Sequence, residues 1–289
     1  MEASSVAKKR PAGTLGELSS SPAGTLVEGL AEPVRNILTE LGEIGAFTGR
    51  TLLELRGVWR YSSEILRQAG ILIVGSAAVI WFMEFVMGME CGTEANYVLR
   101  GYGATIYSGV FTAYCAVREC TPYMWGYILA AKVGCGLTAE IGSMRINEEI
   151  DAMEATGINP MRFIVATRLV AAWLTFPFLY IVGLGFHYLA NWLIIVVQIH
   201  EVSQAGWQTI HWAFTNPTDI LYSEIKGMVS GTAIVMVAMY YGYRARGGPI
   251  GVGTATARSM ILNLILIHIT GSALTMLFWG VNPHAPVGG

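Results

Sequence analysis

Residues 139–169 read AEIGSMRINEEIDAMEATGINPMRFIVATRL and place a short acidic segment between two long apolar stretches. Within this segment, Asn147 belongs to the residue types that are favoured at helix N-caps. Gly157 suits the left-handed residue that follows a last helical turn, and Pro160 prevents the helix from continuing. The segment therefore predicts a short helix at about 147–157, with its helical turns from residue 148 to residue 156.

Helical periodicity gives this segment one apolar side and one acidic side. The apolar side consists of Ile146, Ile150 and Met153, and the acidic side consists of Glu148, Asp151 and Glu154. Helices that bind bilayers electrostatically present Lys and Arg, so an acidic helix next to a membrane indicates a groove on a partner protein. A solvated connector between two membrane helices is the alternative. The candidate partner-binding residues are Arg145, Glu148, Glu149, Asp151 and Glu154.

The composition is that of a membrane protein. Of the 289 residues, 53% are hydrophobic and 13% are charged, against about 25% charged in average soluble proteins. Five apolar runs each reach the ~20 residues that a bilayer requires, which predicts an all-α multipass fold with about five transmembrane helices. Because two runs are long enough to break near Pro122 or Pro177, a sixth span or a re-entrant turn is the alternative. The runs are Ala69–Gly88, Gly103–Thr138, Phe163–Ile199, Ile220–Tyr243 and Ser259–Val281.

The positions of Lys and Arg predict the orientation of the chain. Basic residues precede the first apolar run, flank the acidic helix and flank the Gly-rich segment before the last run. The connector over residues 200–219 and the tail after Val281 contain no Lys or Arg. Since cytoplasmic loops carry an excess of basic residues, we expect a plasma (inner) membrane protein with a cytoplasmic N-terminus and a C-terminus outside.

Two segments precede the first apolar run. Residues 1–35 are rich in Ser, Gly, Pro and Lys and have no signal-peptide core, which predicts a disordered cytoplasmic tail. Residues 36–66 carry apolar side chains at helical spacing among Glu and Arg, which predicts an amphipathic helix in the inner interface, and a soluble helical cap is the alternative. Residues 67–289 are then expected to form the transmembrane domain.

The sequence predicts neither a metal site nor a nucleotide site. The cysteines lack Cys-x-x-Cys spacing, and we interpret them as small buried hydrophobes. No His or carboxylate pattern has metal-ligand spacing. The Gly-rich segment 247–256 lacks the Lys of a Walker A loop, so it predicts a tight turn. We therefore expect no catalytic residue and no cofactor in this chain. The four cysteines are Cys91, Cys115, Cys120 and Cys135.

Ionisable residues inside the predicted spans are costly and mark candidate functional positions. Lys226 is a candidate partner that neutralises Glu119 across the bundle, and a structural ion pair explains this pairing as well as a gate does. Gly227 and Gly231 follow Lys226 and give the helix a small-xxx-small face that lets another helix approach closely. The intramembrane candidates are Glu84, Arg118, Glu119, His187, Glu224, Lys226 and His268.

From about Ile37 to the C-terminus, the chain resembles the MlaE/YrbE family of ABC-transporter permeases. The motifs that carry the resemblance are Arg118-Glu119-x-x-Pro122, residues 137–145 (LTAEIGSMR), residues 148–154 (EEIDAME) with Gly157, Pro160 and Arg162, and residues 251–256 (GVGTAT). Residues 240–243 (YYGY) and 247–251 (GGPIG) resemble the B-type YrbE subunits of actinobacterial Mce lipid-transport systems.

The resemblance implies that the acidic segment is a coupling helix on separate cytoplasmic ATPase subunits, which hold ATP and Mg. It also implies a second permease, expected to be an A-type paralogue, MCE proteins on the outer side and no nucleic acid. The chain is then a transport subunit rather than an enzyme, and it forms the lipid path with import as the expected direction. In the family, Arg118, Glu119 and Lys226 match an intramembrane polar cluster. The last helix usually adds an acidic residue, and here His268 is the nearest ionisable group.

Two other functions fit the residues. A proton-coupled secondary lipid transporter would use Glu84, Glu119 or His268 to carry the proton, and a non-transporting scaffold would bind partners without moving a substrate. Inverted repeats of the kind found in many secondary transporters are not evident in the sequence. Fatty acids, mycolate-type lipids, sterols and phospholipids all suit an apolar path, and the sequence leaves the choice among them open.

Overall fold

The computed structural model describes the backbone of residues 22–281 and the side chains of residues 35–281. Within that range every regular element is helical, which confirms the predicted all-α class. The α-helices are α1 (Pro22–Glu54), α2 (Ser62–Arg100), α3 (Ser108–Phe111), α4 (Thr121–Ile128), α5 (Cys135–Ile146), α6 (Glu149–Ala155), α7 (Thr167–Trp192), α8 (Gln204–Phe214), α9 (Pro217–Tyr243) and α10 (Gly248–Trp279).

The contacts divide the chain into two units, residues 1–47 and residues 48–289. The second unit has an α6 end and an α8 end, which are defined by the two short helices between its long passes. At the α6 end, Arg145 lies 6.0 Å from the ring of Tyr243, the last residue of α9. At the α8 end, Trp279 of α10 donates to Asp219 in the first turn of α9. The chain crosses between these ends five times, as α2, residues 108–146, α7, α9 and α10.

Four helical stretches are long and apolar enough to cross a membrane, so the chain is a multipass membrane protein. The sequence predicted about five spans, and its second run, Gly103–Thr138, is not among the four. This run still crosses the unit as a continuous helical stretch, but Arg118, Glu119 and Lys132 make it less apolar than the others. The four stretches are Arg35–Arg100, Met161–Ile199, Pro217–Tyr243 and Gly248–Trp279.

The second pass contains two π-helical segments, Thr112–Cys120 and Leu129–Gly134. A π-helix bonds residue i to residue i+5, so each segment rotates the side chains that follow it relative to a regular α-helix. Pro122 lies in the first turn of α4, and Pro177 lies inside α7. Neither proline divides its pass, so the sixth segment that the sequence left open is not formed.

Helices α2 and α7 run parallel and form the most closely packed pair of the unit. Trp81 donates from Nε1 to the carbonyl of Leu179 over 3.2 Å, and both helices then continue in the same direction. A Cβ added to Gly88 would lie 2.3 Å from the carbonyl oxygen of His187. Only a residue without a side chain allows this backbone approach, which is typical of helix contacts within membranes.

Helix α9 lies in the interior of the unit, between α7 and the second pass. A Cβ on Gly227 would lie 2.7 Å from the Tyr180 ring, and one on Gly231 would lie 2.9 Å from the Phe176 ring. Both glycines therefore face large aromatic rings of α7 rather than a second small-residue face. The structure thus brings the predicted small-xxx-small pair into a close helix contact with α7.

The N-terminal boundaries differ from the prediction. Helix α1 begins at Pro22, so the tail predicted over residues 1–35 becomes helical before its predicted end; residues 1–21 lie outside the described range. Leu26 and Leu30 extend the apolar helical spacing of residues 36–66 toward the N-terminus, which explains why the helix starts earlier than predicted. The helix predicted over residues 36–66 ends at Glu54, and a 3-10 segment leads into α2 at Ser62.

Candidate functional site

The acidic helix forms as α6, but its predicted N-cap is wrong. Asn147 ends α5, since its backbone N–H bonds to the carbonyl of Ser143 and its side chain donates to the Ser143 hydroxyl over 3.4 Å. The residue before α6 is Glu148, which has a left-handed φ of 61° and makes no side-chain cap. A turn that both ends one helix and starts the next leaves Asn147 no extended backbone from which to cap. Gly157 has a φ of 81°, as its predicted position requires.

The two sides of α6 match the predicted periodicity. Ile150 is fully buried and Met153 is half-buried, so the apolar side packs on the unit. The carboxylates of the acidic side are all exposed, and Asp151 also pairs with Arg145 at 2.5 Å between Oδ1 and Nη1. The helix is thus anchored by its apolar side and presents its negative charges to the outside. The exposed acidic residues are Glu148, Glu149, Asp151 and Glu154.

The connector after α6 is held to the N-terminal side of the second unit. Arg162 forms an ion pair with Glu54 at 2.7 Å, and the Asn159 amide donates to the same carboxylate over 3.1 Å. A Cβ on Gly57 would lie 2.8 Å from the Arg162 guanidinium. These contacts fasten the connector after α6 to the end of α1, and Arg162 lies in the helical segment that leads into α7.

A second polar group lies inside the bundle, and we call it the cavity cluster: Glu119, Lys226 and Thr275. Lys226 Nζ donates to Glu119 Oε2 over 2.8 Å, which is the pairing that the sequence predicted. It also donates to the Thr275 hydroxyl and to the carbonyl of Arg118, each over 2.7 Å. The Lys226 side chain is 1% exposed and that of Glu119 is 35% exposed, so the cation is enclosed and the anion reaches outward.

Arg118 is oriented away from the cavity cluster. Its Nη2 pairs with Asp219 Oδ2 at 2.6 Å, and its guanidinium lies 4.1 Å from the Tyr114 ring centroid. Asp219 also accepts from Trp279 Nε1 over 2.9 Å. The sequence did not indicate Asp219, because residues 200–219 were assigned to the outer connector. Asp219 lies two residues after Pro217, in a first helical turn, and this position is the signal that marks it as part of α9.

His268 does not join the cavity cluster. It is exposed, its Nε2 lies 2.9 Å from the Tyr127 hydroxyl, and its Nδ1 lies 2.9 Å from the carbonyl of Leu264. The last helix instead contributes Thr275, whose hydroxyl lies 2.7 Å from Glu119 Oε1. Thr275 follows His268 by seven residues, two helical turns along the same side of α10. That spacing is the sequence signal that identifies it.

A cavity of about 610 Å³ lies next to these charges. Its surface is almost entirely apolar, and its charged residues are Arg118 and Glu119. Ligand sites of this size and character are typical of small-molecule binding, with a few polar groups that fix the orientation. The cavity lies toward the α8 end, since the end of α8 and the end of α10 contribute to it. The lining residues are Leu99, Tyr107, Val110, Phe111, Tyr114, Cys115, Arg118, Glu119, Phe214, Thr275 and Trp279.

The remaining sequence interpretations concern cysteines and glycines. The cysteines are half-buried rather than buried, and Cys120 lies 3.5 Å from Cys91 and 3.4 Å from Cys115 between sulfur atoms. Among the described side chains, no group of His, Cys, Asp and Glu has the arrangement of a metal site. Gly247 and Gly248 have φ values of 88° and 69°, so the tight turn forms at these two residues. The rest of the Gly-rich segment 247–256 is the helical start of α10, so the predicted turn is shorter than the sequence indicated.

Five helical passes with an apolar exterior, an enclosed charged cluster and an apolar cavity define a polytopic α-helical membrane protein. The family described as "Permease MlaE" matches residues 65–277. The chain belongs to the MlaE permease family.

Relatives in several lineages share most of their length with this chain. A probable ABC transporter permease protein of Rickettsia prowazekii is 28% identical over 76% of this chain and 85% of its own. The intermembrane phospholipid transport system permease protein MlaE of Haemophilus influenzae is 24% identical over 88% and 97%. The chloroplast protein TRIGALACTOSYLDIACYLGLYCEROL 1 of Arabidopsis thaliana is 26% identical over 76% and 62%.

Proposed function

We propose that this chain is the permease subunit of an ABC-type lipid transporter and that an amphipathic lipid occupies the cavity at the α8 end. The observation that carries this proposal is the composition of the cavity wall: an apolar surface of aromatic and aliphatic side chains that also includes the charged residues Arg118 and Glu119. Acyl chains suit the apolar surface, and a polar headgroup suits the charged side chains. The Haemophilus influenzae relative, named for intermembrane phospholipid transport, supports this substrate class.

The energy for transport comes from a separate ATPase that docks on α6. The exposed carboxylates of α6 provide charge-assisted contacts to a basic groove, and ATP and Mg are held by that partner. Movement of α6 is transmitted through the Arg162–Glu54 ion pair to the long helices, and a packed bundle responds by shifting between two arrangements. The Rickettsia prowazekii relative, named as an ABC transporter permease, supports a partner of this kind.

The full assembly that we propose is an Mce system. In it, the chain is a B-type YrbE subunit that pairs with an A-type paralogue, and MCE proteins bind on the outer side of the inner membrane. Import is the proposed direction. The α6 end is cytoplasmic and the C-terminus lies outside, because basic residues concentrate near the α6 end.

Charge reversal on α6 tests the coupling. We choose Glu148→Lys with Glu149→Lys because both carboxylates are exposed, whereas Asp151 also pairs with Arg145 within the chain. We expect this double variant to insert normally, to lose the co-purifying ATPase and to lose lipid transport. The matched control reverses two exposed carboxylates of α2 near the α8 end, Glu90→Lys with Glu94→Lys, and should keep both properties. Retained ATPase and transport in the α6 variant would rule out α6 as the coupling element.

Cysteine labelling tests the orientation independently. In a chain without its native cysteines, Thr209→Cys in α8 and Ile250→Cys beside the Gly247 turn are both exposed. We expect a membrane-impermeant thiol reagent to label Thr209→Cys in intact cells and Ile250→Cys only after lysis. The reversed pattern would place the α6 end outside and exclude a cytoplasmic ATPase there.

A further inference from the structure

Helix α2 carries a row of residues at four-residue intervals, with polar side chains at its ends and glycines in its centre. Residues four apart lie on the same side of a helix, so the row forms a single stripe. All but the last member are buried. The stripe faces α7, since Gly88 approaches the His187 backbone and Gly92 approaches the Asn191 side chain. Its members are Glu84, Gly88, Gly92, Asn96 and Arg100.

At the Glu84 end of this stripe, the ionisable side chains of Glu84 and His187 are in contact and buried from solvent. Glu84 Oε2 lies 3.3 Å from His187 Nδ1, and the side chains are 1% and 0% exposed. The Thr121 hydroxyl lies 3.3 Å from the same nitrogen. The other two polar atoms of the pair, Glu84 Oε1 and His187 Nε2, are buried and have no hydrogen-bond partner among the described residues. Buried polar atoms are normally paired, so two orphans at one contact require an explanation.

One proton shared between the facing atoms is the state of this pair that costs least. An ion pair places two charges in a low-dielectric contact, and loss of the proton leaves a carboxylate that neutral His187 cannot balance. The neutral arrangement, in which Glu84 Oε2–H donates to His187 Nδ1, avoids both costs. Cys91 on α2, Cys120 on the second pass and Tyr180 on α7 interact electrostatically with Glu84, and Cys115 on the second pass interacts with His187.

Polar groups continue from this pair to the surface at the α8 end. Asn191 lies one turn beyond His187 on α7, and its Oδ1 accepts from the Thr112 hydroxyl over 2.5 Å. Asn96 lies further along α2 and donates to Glu201 over 3.2 Å. Glu201 pairs at 3.1 Å with Arg100, whose side chain is 66% exposed.

Orphan polar atoms also recur along this route. Asn191 Nδ2, Asn96 Oδ1 and Ser108 Oγ are buried and have no partner among the described residues. Buried water binds at polar sites of this kind and makes about three hydrogen bonds in each. These buried polar atoms on α2, α3 and α7 therefore suit bound water molecules.

We propose that Glu84 and His187 form a proton-binding site within the membrane, which exchanges its proton with solvent at the α8 end along the α2–α7 contact. The exchange is balanced: the proton on Glu84 Oε2 passes to His187 Nδ1, His187 Nε2 releases its proton to a water molecule, and Glu84 Oε1 takes up a proton from solvent, so the net charge of the pair is unchanged. This site is separate from the cavity cluster and does not depend on which substrate the cavity holds. Its occupancy affects the α2–α7 contact, because an empty site leaves a lone carboxylate there.

Infrared difference spectroscopy on the full chain in lipid nanodiscs tests this proposal. We expect a protonated carboxyl band at neutral pH that disappears in Glu84→Gln and persists in Glu224→Gln, which removes a half-buried carboxylate of α9. We also expect the band to shift in D2O. Replacing Asn96 and Asn191 with Leu should slow that shift by about tenfold, which corresponds to about 1.4 kcal/mol of added barrier.

Three results would overturn the proposal. One is the absence of any carboxyl band that Glu84→Gln removes, and the second is a band that does not exchange in D2O. If Glu84→Gln does not fold, His187→Gln replaces it as the deciding variant. Loss of the imidazole acceptor should move the carboxyl frequency, so an unchanged spectrum in His187→Gln is the third contrary result.

Discussion

The two intramembrane polar groups of this protein accommodate buried ionisable side chains in different ways. In the cavity cluster, Lys226 is enclosed, and it is balanced by Glu119 and by two further oxygen acceptors. In the α2–α7 contact, Glu84 and His187 are both enclosed, and each keeps an orphan atom. The cavity cluster therefore retains its charge because the anion reaches the cavity, whereas the α2–α7 pair avoids charge by sharing a proton. Whether a buried ionisable group keeps its charge therefore depends on its access to the cavity.

Removing one partner of the cavity cluster should have the largest effect on stability. Glu119→Gln leaves enclosed Lys226 without its counter-charge, and we expect a loss of about 3 to 5 kcal/mol in the free energy of unfolding. Lys226→Met leaves Glu119, which is 35% exposed and keeps Thr275, so its loss should be smaller. The double variant should be milder than Glu119→Gln alone. Thermal and denaturant unfolding of the purified protein measure these differences.

Glu224→Gln serves as the control for this series, because it removes a half-buried carboxylate of α9 that makes no ion pair among the described residues. Equal losses in the two single variants, or losses that add in the double variant, would contradict the asymmetry that we infer from the two exposures. In that case the cavity cluster would not differ from the α2–α7 pair in the way that we infer.

The position of Gly88 in the α2–α7 contact should tolerate no added atom. Gly88→Ala places a methyl group 2.3 Å from the His187 carbonyl oxygen, so the helices must separate, with an expected loss of about 1 to 3 kcal/mol. Gly75→Ala is the matched control on the same helix, since its Cβ meets nothing within 4 Å. It should be neutral or stabilising by up to about 1 kcal/mol, because Ala is the better helix former. Equal melting temperatures for the two variants would show that the backbones are not in contact.

A smaller effect is expected where the cavity cluster relies on a hydroxyl. Thr275→Val removes the oxygen that Lys226 and Glu119 share, and we expect a loss of about 1 kcal/mol. Thr254→Val on the same helix is the control, because among the described residues its exposed hydroxyl bonds only to the carbonyl of Ile250. Its effect should stay within about 0.5 kcal/mol. A control loss as large as that of Thr275→Val would show that α10 responds to any lost hydroxyl.

The sequence predicted the parts of the fold that depend on composition and local periodicity. Apolar runs located the passes, and a period of 3.6 placed Ile150 inward and the carboxylates of α6 outward. The pairing of Glu119 with Lys226 was also accessible, since a buried cation needs an anion within the bundle. These features require no knowledge of how distant helices meet.

The rest depends on the register between helices, which periodicity does not contain. His268 was selected because it is ionisable, yet α10 meets Lys226 at Thr275, seven residues further on. The π-helical segment Thr112–Cys120 also changes the direction of the side chains around it, so Arg118 pairs with Asp219 although it adjoins Glu119 in sequence. Asn147 failed as a cap because two helices meet there with a single turn between them.

Photo-crosslinking of a lipid is the most direct test of the account's central claim, that an amphipathic lipid binds in the cavity. A phospholipid with a photoactivatable group on its acyl chain, bound to the complete complex, should crosslink saturably to Phe111, Phe214 and Trp279 of the cavity wall. Val110→Trp, which fills the cavity, should abolish those crosslinks and keep the non-saturable background on exposed Ile261 and Ile265 of α10. Crosslinks confined to the exposed face of α10, unchanged in Val110→Trp, would contradict the claim.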